Sequence, residues 1–179
     1  MQPYPPLGTL YAAAVMRERG HDVALFDAML SEGTHEWEAA LERHRPRFAV
    51  LFEDNFNYLS KMSLLRMREA AQAMIAAARA RGCTVIACGS DPTDHPDVYL
   101  DAGAEYVILG EGEMALADLI AALDGGDVHG VSGLAYRAGG QTVRTLPRPV
   151  IDDLDALPFP AWDLVDGARY RAVWTARHG

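Results

Sequence analysis

Four short runs of almost continuous apolar residues punctuate the chain: "DVALFD" at 22–27, "FAVLF" at 48–52, "TVIAC" at 84–88 and "EYVIL" at 105–109. A strand with one face in water alternates polar and apolar residues. Runs that are apolar at nearly every position suit strands buried on both faces, as in a parallel sheet. Helical spacing fills the intervals. A first helix is predicted over about Leu7 to Arg19, with Pro6 suited to its first turn and Gly20 to its stop. The clearest helix spans about Ser60 to Arg81, where Leu64, Met67, Ala71, Met74 and Ala78 recur at three and four residues and Gly82 closes it. A further helix places Leu116, Leu119, Ile120 and Leu123 on one face. Strand alternating with helix predicts an α/β fold, a Rossmann-like, flavodoxin-like doubly wound parallel sheet.

One piece of that fold is unaccounted for. A flavodoxin-like sheet in the order 2-1-3-4-5 puts a strand ahead of "PYPPLG", at the sheet's centre. Either upstream residues supply it or the sheet is irregular. After Leu123 the pattern changes: two short strand-like runs flank Ala138, Gly139 and Gly140, which reads as a β-hairpin. The final stretch is acidic and aromatic, with Pro158 and Pro160. Its Phe159, Trp162, Tyr170 and Trp174 suit an extended, ordered linker lying against another surface. The expected organisation is an α/β domain over 1–126, a hairpin extension over 127–150 and a linker over 151–179.

Composition narrows the function classes. The chain has 179 residues, half of them hydrophobic, enough for one complete core. Its formal net charge of -9 disfavours nucleic acid, since phosphate-backbone binding draws on a basic face. No run approaches the ~20 apolar residues that span a bilayer, and the N-terminus lacks a basic region followed by an apolar core, so a soluble, cytoplasmic chain without a membrane partner is expected. Cys83 and Cys88 bracket one predicted strand at odd spacing; they face opposite sides, roughly 17 Å apart if it is extended, too far for a disulfide. They read as small buried apolar residues.

Ligands of open parallel sheets bind at the carboxyl ends of the strands. "GEGEMA" at 110–115 matches a loose dinucleotide pattern, G-x-G-x-x-A. That motif should follow the first strand, however, and Glu111 and Glu113 would set carboxylates where a pyrophosphate must lie. Glu53 and Asp54 could form a phosphoacceptor or magnesium site, but no lysine ends the last strand to neutralise a phosphoryl group. A third possibility is a bulky, mostly neutral ligand, because Gly89 and Gly110 end neighbouring strands without side chains.

"PPLGTLYAAAVMRERGHDVALFDA", "CGSDPTDHPDVYLDAGAEYVILGEGE" and "LDALPFPAWDL", in that order, resemble the N-terminal cobalamin-binding domain of class B radical SAM enzymes, the group that includes the anaerobic magnesium-protoporphyrin monomethyl ester cyclase. The resemblance covers roughly residues 3 to 178. It implies a corrinoid over the sheet's carboxyl edge with its nucleotide tail running down between strands and helices. Gly89, Ser90, Gly110, Glu111 and Gly112 are implied along the tail's channel, with Asp91 counted among the cofactor-binding residues. Leu7 and Gly8, Asp27, Ala28 and Met29, and the loop with Asp54, Asn55 and Asn57 are implied to face the corrin ring.

The chain departs from its relatives in three ways. Where mutase relatives carry D-x-H-x-x-G, this sequence has Asp27, Ala28, Met29, Leu30, Ser31, Glu32 and Gly33, so base-off cobalamin without a protein histidine ligand is implied. Ser90 replaces a second glycine. The C-x-x-x-C-x-x-C signature of a 4Fe-4S cluster is absent, and the resemblance implies that the cluster and S-adenosylmethionine belong to a radical SAM domain of the same polypeptide outside this segment. The segment is then expected to bind cobalamin and present its cobalt to a substrate radical, with no catalytic or metal-ligating residue of its own. The competing expectation is a cofactor-free regulatory or protein-interaction domain. His95 is weighed between ligand contact and capping of the helix begun by Pro96, and Met62, Met67 and Met74 between cofactor surface and core.

Overall fold

The computed structural model describes residues 3–53 and 64–179. Asp54, Asn55, Asn57 and Met62 lie outside the described residues. In chain order the elements are α1 (Leu7–Glu18), α2 (Thr34–His44), β1 (Phe48–Glu53), α3 (Leu64–Ala80), β2 (Thr84–Gly89), α4 (Ser90–Asp94), α5 (Pro96–Ala102), β3 (Tyr106–Ile108), α6 (Glu113–Leu123), β4 (Leu134–Ala138), β5 (Gln141–Arg144) and α7 (Gly167–His178).

The five strands form one sheet in the order β1-β2-β3-β4-β5. β1, β2 and β3 are parallel, with Leu51 opposite Ala87 and Ala87 opposite Val107. β4 joins β3 antiparallel and β5 folds back on β4. Ala138 pairs Gln141 across Gly139 and Gly140, both at positive φ, the condition for a two-residue turn matching the twist of its strands. The fold is the mixed α/β, Rossmann-like sheet with a C-terminal hairpin that the alternation predicts.

β2 shows why its run is apolar throughout. Val85 and Ala87 enter one core with Cys83 and with residues of α2, α3 and α5; Ile86 and Cys88 enter the other, with α1 and α6. Both cysteines are free and buried. Burial pushes the Cys88 thiol up to about 12, which keeps it protonated and inert at neutral pH. On α3, Ala71, Ile75 and Ala78 are buried, and Met74 packs partly buried against the same core.

The run at 22–27 is a correction. No strand forms there, and among the described residues no backbone group of Asp22 to Phe26 is bonded to another backbone group. A strand exists only as one side of a ladder. β1, which ends the sheet, is separated from 22–27 by a cavity of about 1160 Å³.

The C-terminal stretch packs back on the domain. Ala161 is buried and its N–H donates to the Leu10 carbonyl at 3.2 Å, while Arg17 grips both oxygens of Asp163 at 2.9 and 2.8 Å.

Candidate functional site

The carboxyl ends of β2 and β3 are tied by one side chain. The Thr93 hydroxyl donates to the Gly89 carbonyl at 2.7 Å and accepts from the Gly110 N–H at 3.0 Å. Gly89, Ser90, Asp91, Gly110, Glu111 and Gly112 therefore share one end of the sheet. Their glycines differ in use. A Cβ on Gly112 would lie 2.3 Å from Cys88 Sγ, and one on Gly89 would lie 2.5 Å from the Glu53 carbonyl oxygen. The clearance at these two positions is taken up by the protein itself. Gly110, at φ +86°, and Gly8 have open space where a side chain would go.

Beneath this edge lies an ionic network anchored on Asp91, a buried charge. Arg68 Nε and Nη2 donate to its two oxygens at 2.7 and 2.5 Å, a bidentate pair, and the Tyr99 hydroxyl lies 2.6 Å from Asp91 and 2.7 Å from Glu53. Burial raises the Asp91 carboxyl, but the hydrogen bonds from Arg68 and Tyr99 outweigh it and hold the group below the usual carboxylate range. Burial and the two neighbouring carboxylates push the Tyr99 phenol up, so it stays a neutral donor. Its single proton serves one carboxylate at a time. Glu53, weighed as a phosphoacceptor, is held in this network.

A second group forms at the opposite side of the edge. Asp27 Oδ1 accepts the Met29 N–H at 3.0 Å, and its other oxygen accepts the Tyr170 hydroxyl from α7, which also lies 3.0 Å from the Tyr4 carbonyl oxygen. Asp27, Ala28, Met29, Tyr4 and Glu53 line one end of the cavity. Leu7, at the first turn of α1, is 45% exposed beside Gly8. Arg169 reaches the Leu30 carbonyl, so α7 lies along the Asp27 to Leu30 turn.

Two side chains weighed for ligand contact have neighbours within the protein. Glu111 Oε2 accepts the N–H of Ile151 at 2.7 Å, which pins the C-terminal stretch to the "GEGE" turn. His95 occupies the N-cap position of α5 without a side-chain capping bond, and its Nε2 lies 3.9 Å from Asp91. Sequence reasoning missed Arg68, Thr93 and Tyr99. Among the described residues, no group of three His, Cys, Asp or Glu is placed to hold a metal ion, and no helix is long and apolar enough to cross a membrane.

An open parallel-sheet edge carrying side-chain-free backbone between two anchored loops defines a ligand-binding α/β domain of the Rossmann-like kind. The chain belongs to the B12 binding domain family, whose family model matches residues 2–120.

It is 31% identical over 176 residues to the anaerobic magnesium-protoporphyrin IX monomethyl ester cyclase of Synechocystis sp., a match covering 93% of this chain and 33% of that protein. An uncharacterized methyltransferase of Pyrococcus horikoshii is 28% identical over 171 residues, covering 94% of this chain and 36% of that protein. The chain thus spans about a third of the length of these two curated relatives. Among solved structures, the radical S-adenosylmethionine methyltransferase TsrM from Kitasatospora setae, with cobalamin and a [4Fe-4S] cluster bound, aligns with a TM-score of 0.65 at 19% identity, over 92% of this chain and 31% of that one. The cobalamin-dependent S-adenosylmethionine radical enzyme OxsB aligns with a TM-score of 0.65 at 17% identity, over 88% of this chain and 22% of that one. These likenesses show the fold.

Proposed function

We propose that this chain holds a cobalamin across the carboxyl edge of its sheet and serves as the corrinoid-carrying part of a B12-dependent radical SAM enzyme. The family match over residues 2–120 carries the proposal. The residues present fit such a group. Gly8 and Gly110 leave backbone open to a large flat ligand, and Leu7 offers exposed apolar surface beside them. Both Asp27 oxygens accept protein donors and Met29 stands two residues on, which supports binding without a protein imidazole on cobalt.

In this reading Leu7, Gly8, Asp27, Ala28 and Met29 hold the ring side, with Asp54, Asn55 and Asn57 from outside the described residues. Gly110 admits the ligand to the backbone, while Gly89, Ser90, Asp91, Glu111 and Gly112 keep the neighbouring strand ends in place. When bound, the cofactor supplies a cobalt centre able to carry a one-carbon group or exchange an electron with a radical. The radical is made in a radical SAM domain of the same polypeptide, which holds the 4Fe-4S cluster and S-adenosylmethionine. Exposed Phe159 and Trp174 give that domain apolar surface to meet.

The test is incubation with hydroxocobalamin followed by gel filtration. A corrin absorption spectrum co-eluting with the protein is the expected result. After reduction, the cobalt electron paramagnetic resonance spectrum should lack nitrogen superhyperfine splitting on its axial lines. Loss of all corrin on the column sinks the binding, and nitrogen splitting sinks the base-off assignment.

A further inference from the structure

The turn at Asp27 to Ser31 has no buried residue to hold it in place. Its internal bonds give it shape only. The Met29 N–H goes to Asp27 Oδ1 at 3.0 Å, and the N–H groups of Leu30 and Ser31 go to the carbonyls of Asp27 and Ala28 at 3.2 and 3.4 Å. Among the described residues, the hydrogen bonds that leave the turn go to α7: Asp27 Oδ2 takes the Tyr170 hydroxyl, and the Leu30 carbonyl takes the Arg169 guanidinium.

The first turn of α7 is built to deliver these two side chains. Just ahead of it, Leu164 packs with Ala161 against Ala13 and Ala14 of α1, which fixes the approach to the helix. Asp166 then caps the helix by accepting the Arg169 N–H at 2.9 Å. Tyr170 also lies 3.0 Å from the Tyr4 carbonyl oxygen, and Arg169 lies 3.5 Å from Glu36 of α2. Burial, and Asp27 beside it, push the Tyr170 phenol up, so it stays a donor at neutral pH. No residue of α7 is buried, and Trp174 is 58% exposed. The helix therefore meets the turn through polar groups at its start.

We infer that Tyr170 and Arg169 are positioning residues of the binding site: through Asp27 and the Leu30 carbonyl they fix the turn that faces the ligand, and so set how long the ligand is kept. Tyr4, Asp27, Ala28 and Met29 line one end of the same cavity, so the wall they form is completed from outside the matched 2–120 region. A wall already held in place is not ordered at the ligand's expense. The effect on retention rests on the corrinoid reading above, whereas the hold on the turn does not.

The test compares the parent with Tyr170→Phe, Arg169→Ala and, as a control on the same helix, Trp174→Ala. Amide hydrogen exchange is read without ligand at Met29, Leu30 and Ser31, with the β2 amides reporting an intact fold. Tyr170→Phe and Arg169→Ala are each expected to speed exchange in the turn about tenfold and leave β2 unchanged, with Trp174→Ala close to the parent. Release of bound hydroxocobalamin, followed by its corrin spectrum, is expected to quicken by a similar factor in the first two variants. Parent-like exchange in both of them, or equal loosening by Trp174→Ala, overturns the proposal. A loosened turn with parent-like release overturns it as well. A parent that retains no corrin sinks the corrinoid reading instead, and exchange in the turn then decides whether the two side chains hold it.

Discussion

The two edges of the sheet are built on opposite plans. β5 is short and polar, Gln-Thr-Val-Arg, and beside it Arg137 pairs with Asp97 and Asp101 in an exposed cluster. Such an edge is finished: charge and brevity discourage further pairing. β1 is longer and apolar as far as Glu53, its last residue, which joins the network of Arg68, Asp91 and Tyr99 at the strand's carboxyl end. The same ingredients, arginine and carboxylate, stabilise by different physics. At β5 they are solvated and keep strangers away; at β1 they are buried and hold the strand end in register.

That contrast can be broken by substitution, and the largest effect falls at β1. Arg68→Ala leaves the Asp91 carboxylate buried without its cation, so a loss of about 3–5 kcal/mol in urea unfolding is expected. The pH dependence sharpens it. Because the folded Asp91 is held below its unfolded value, its contribution is full above the ordinary carboxylate range, ~pH 4, and is lost as pH falls through the lower folded value. Asp91→Asn should flatten the dependence of melting temperature on pH below about pH 4 relative to the parent. An unchanged slope would remove Asp91 from the acid response.

Gly89→Ala comes next. Its Cβ collides with the Glu53 backbone and its φ of +138° disfavours any side chain, so about 1–3 kcal/mol is expected from chemical unfolding. The smallest effect belongs to β5. Arg137→Ala removes exposed pairs and should cost under about 1 kcal/mol by the same measurement. A loss at Arg137 as large as that at Arg68 would erase the distinction between the edges.

The sequence made the edges unequally legible. β1, β2 and β3 announce themselves as apolar runs because burial on two faces leaves no place for polar residues, and the Gly139–Gly140 turn follows from its φ requirement. The 22–27 run carries the same signal, but a strand also needs a neighbour, and local pattern does not report whether one is in place. Arg68 and Asp91 stand 23 residues apart on separate elements, and Thr93 reaches 17 residues to Gly110. No periodicity links such partners; the available hint is a carboxylate placed two residues after a strand's last residue. Glu111 shows the same. The resemblance implies it at a ligand's channel, and no local pattern foretells that one of its oxygens takes the Ile151 N–H, a partner 40 residues away.

Thr93 has an entropic consequence for whatever meets this edge. Gly89 and Gly110 are conformationally the freest residues available, and untied they would have to be ordered by the ligand at the moment of binding. One hydroxyl bonded to both strand ends settles that ordering during folding instead. A ligand laid on Gly110 meets backbone already at rest, and its contact energy is left for affinity.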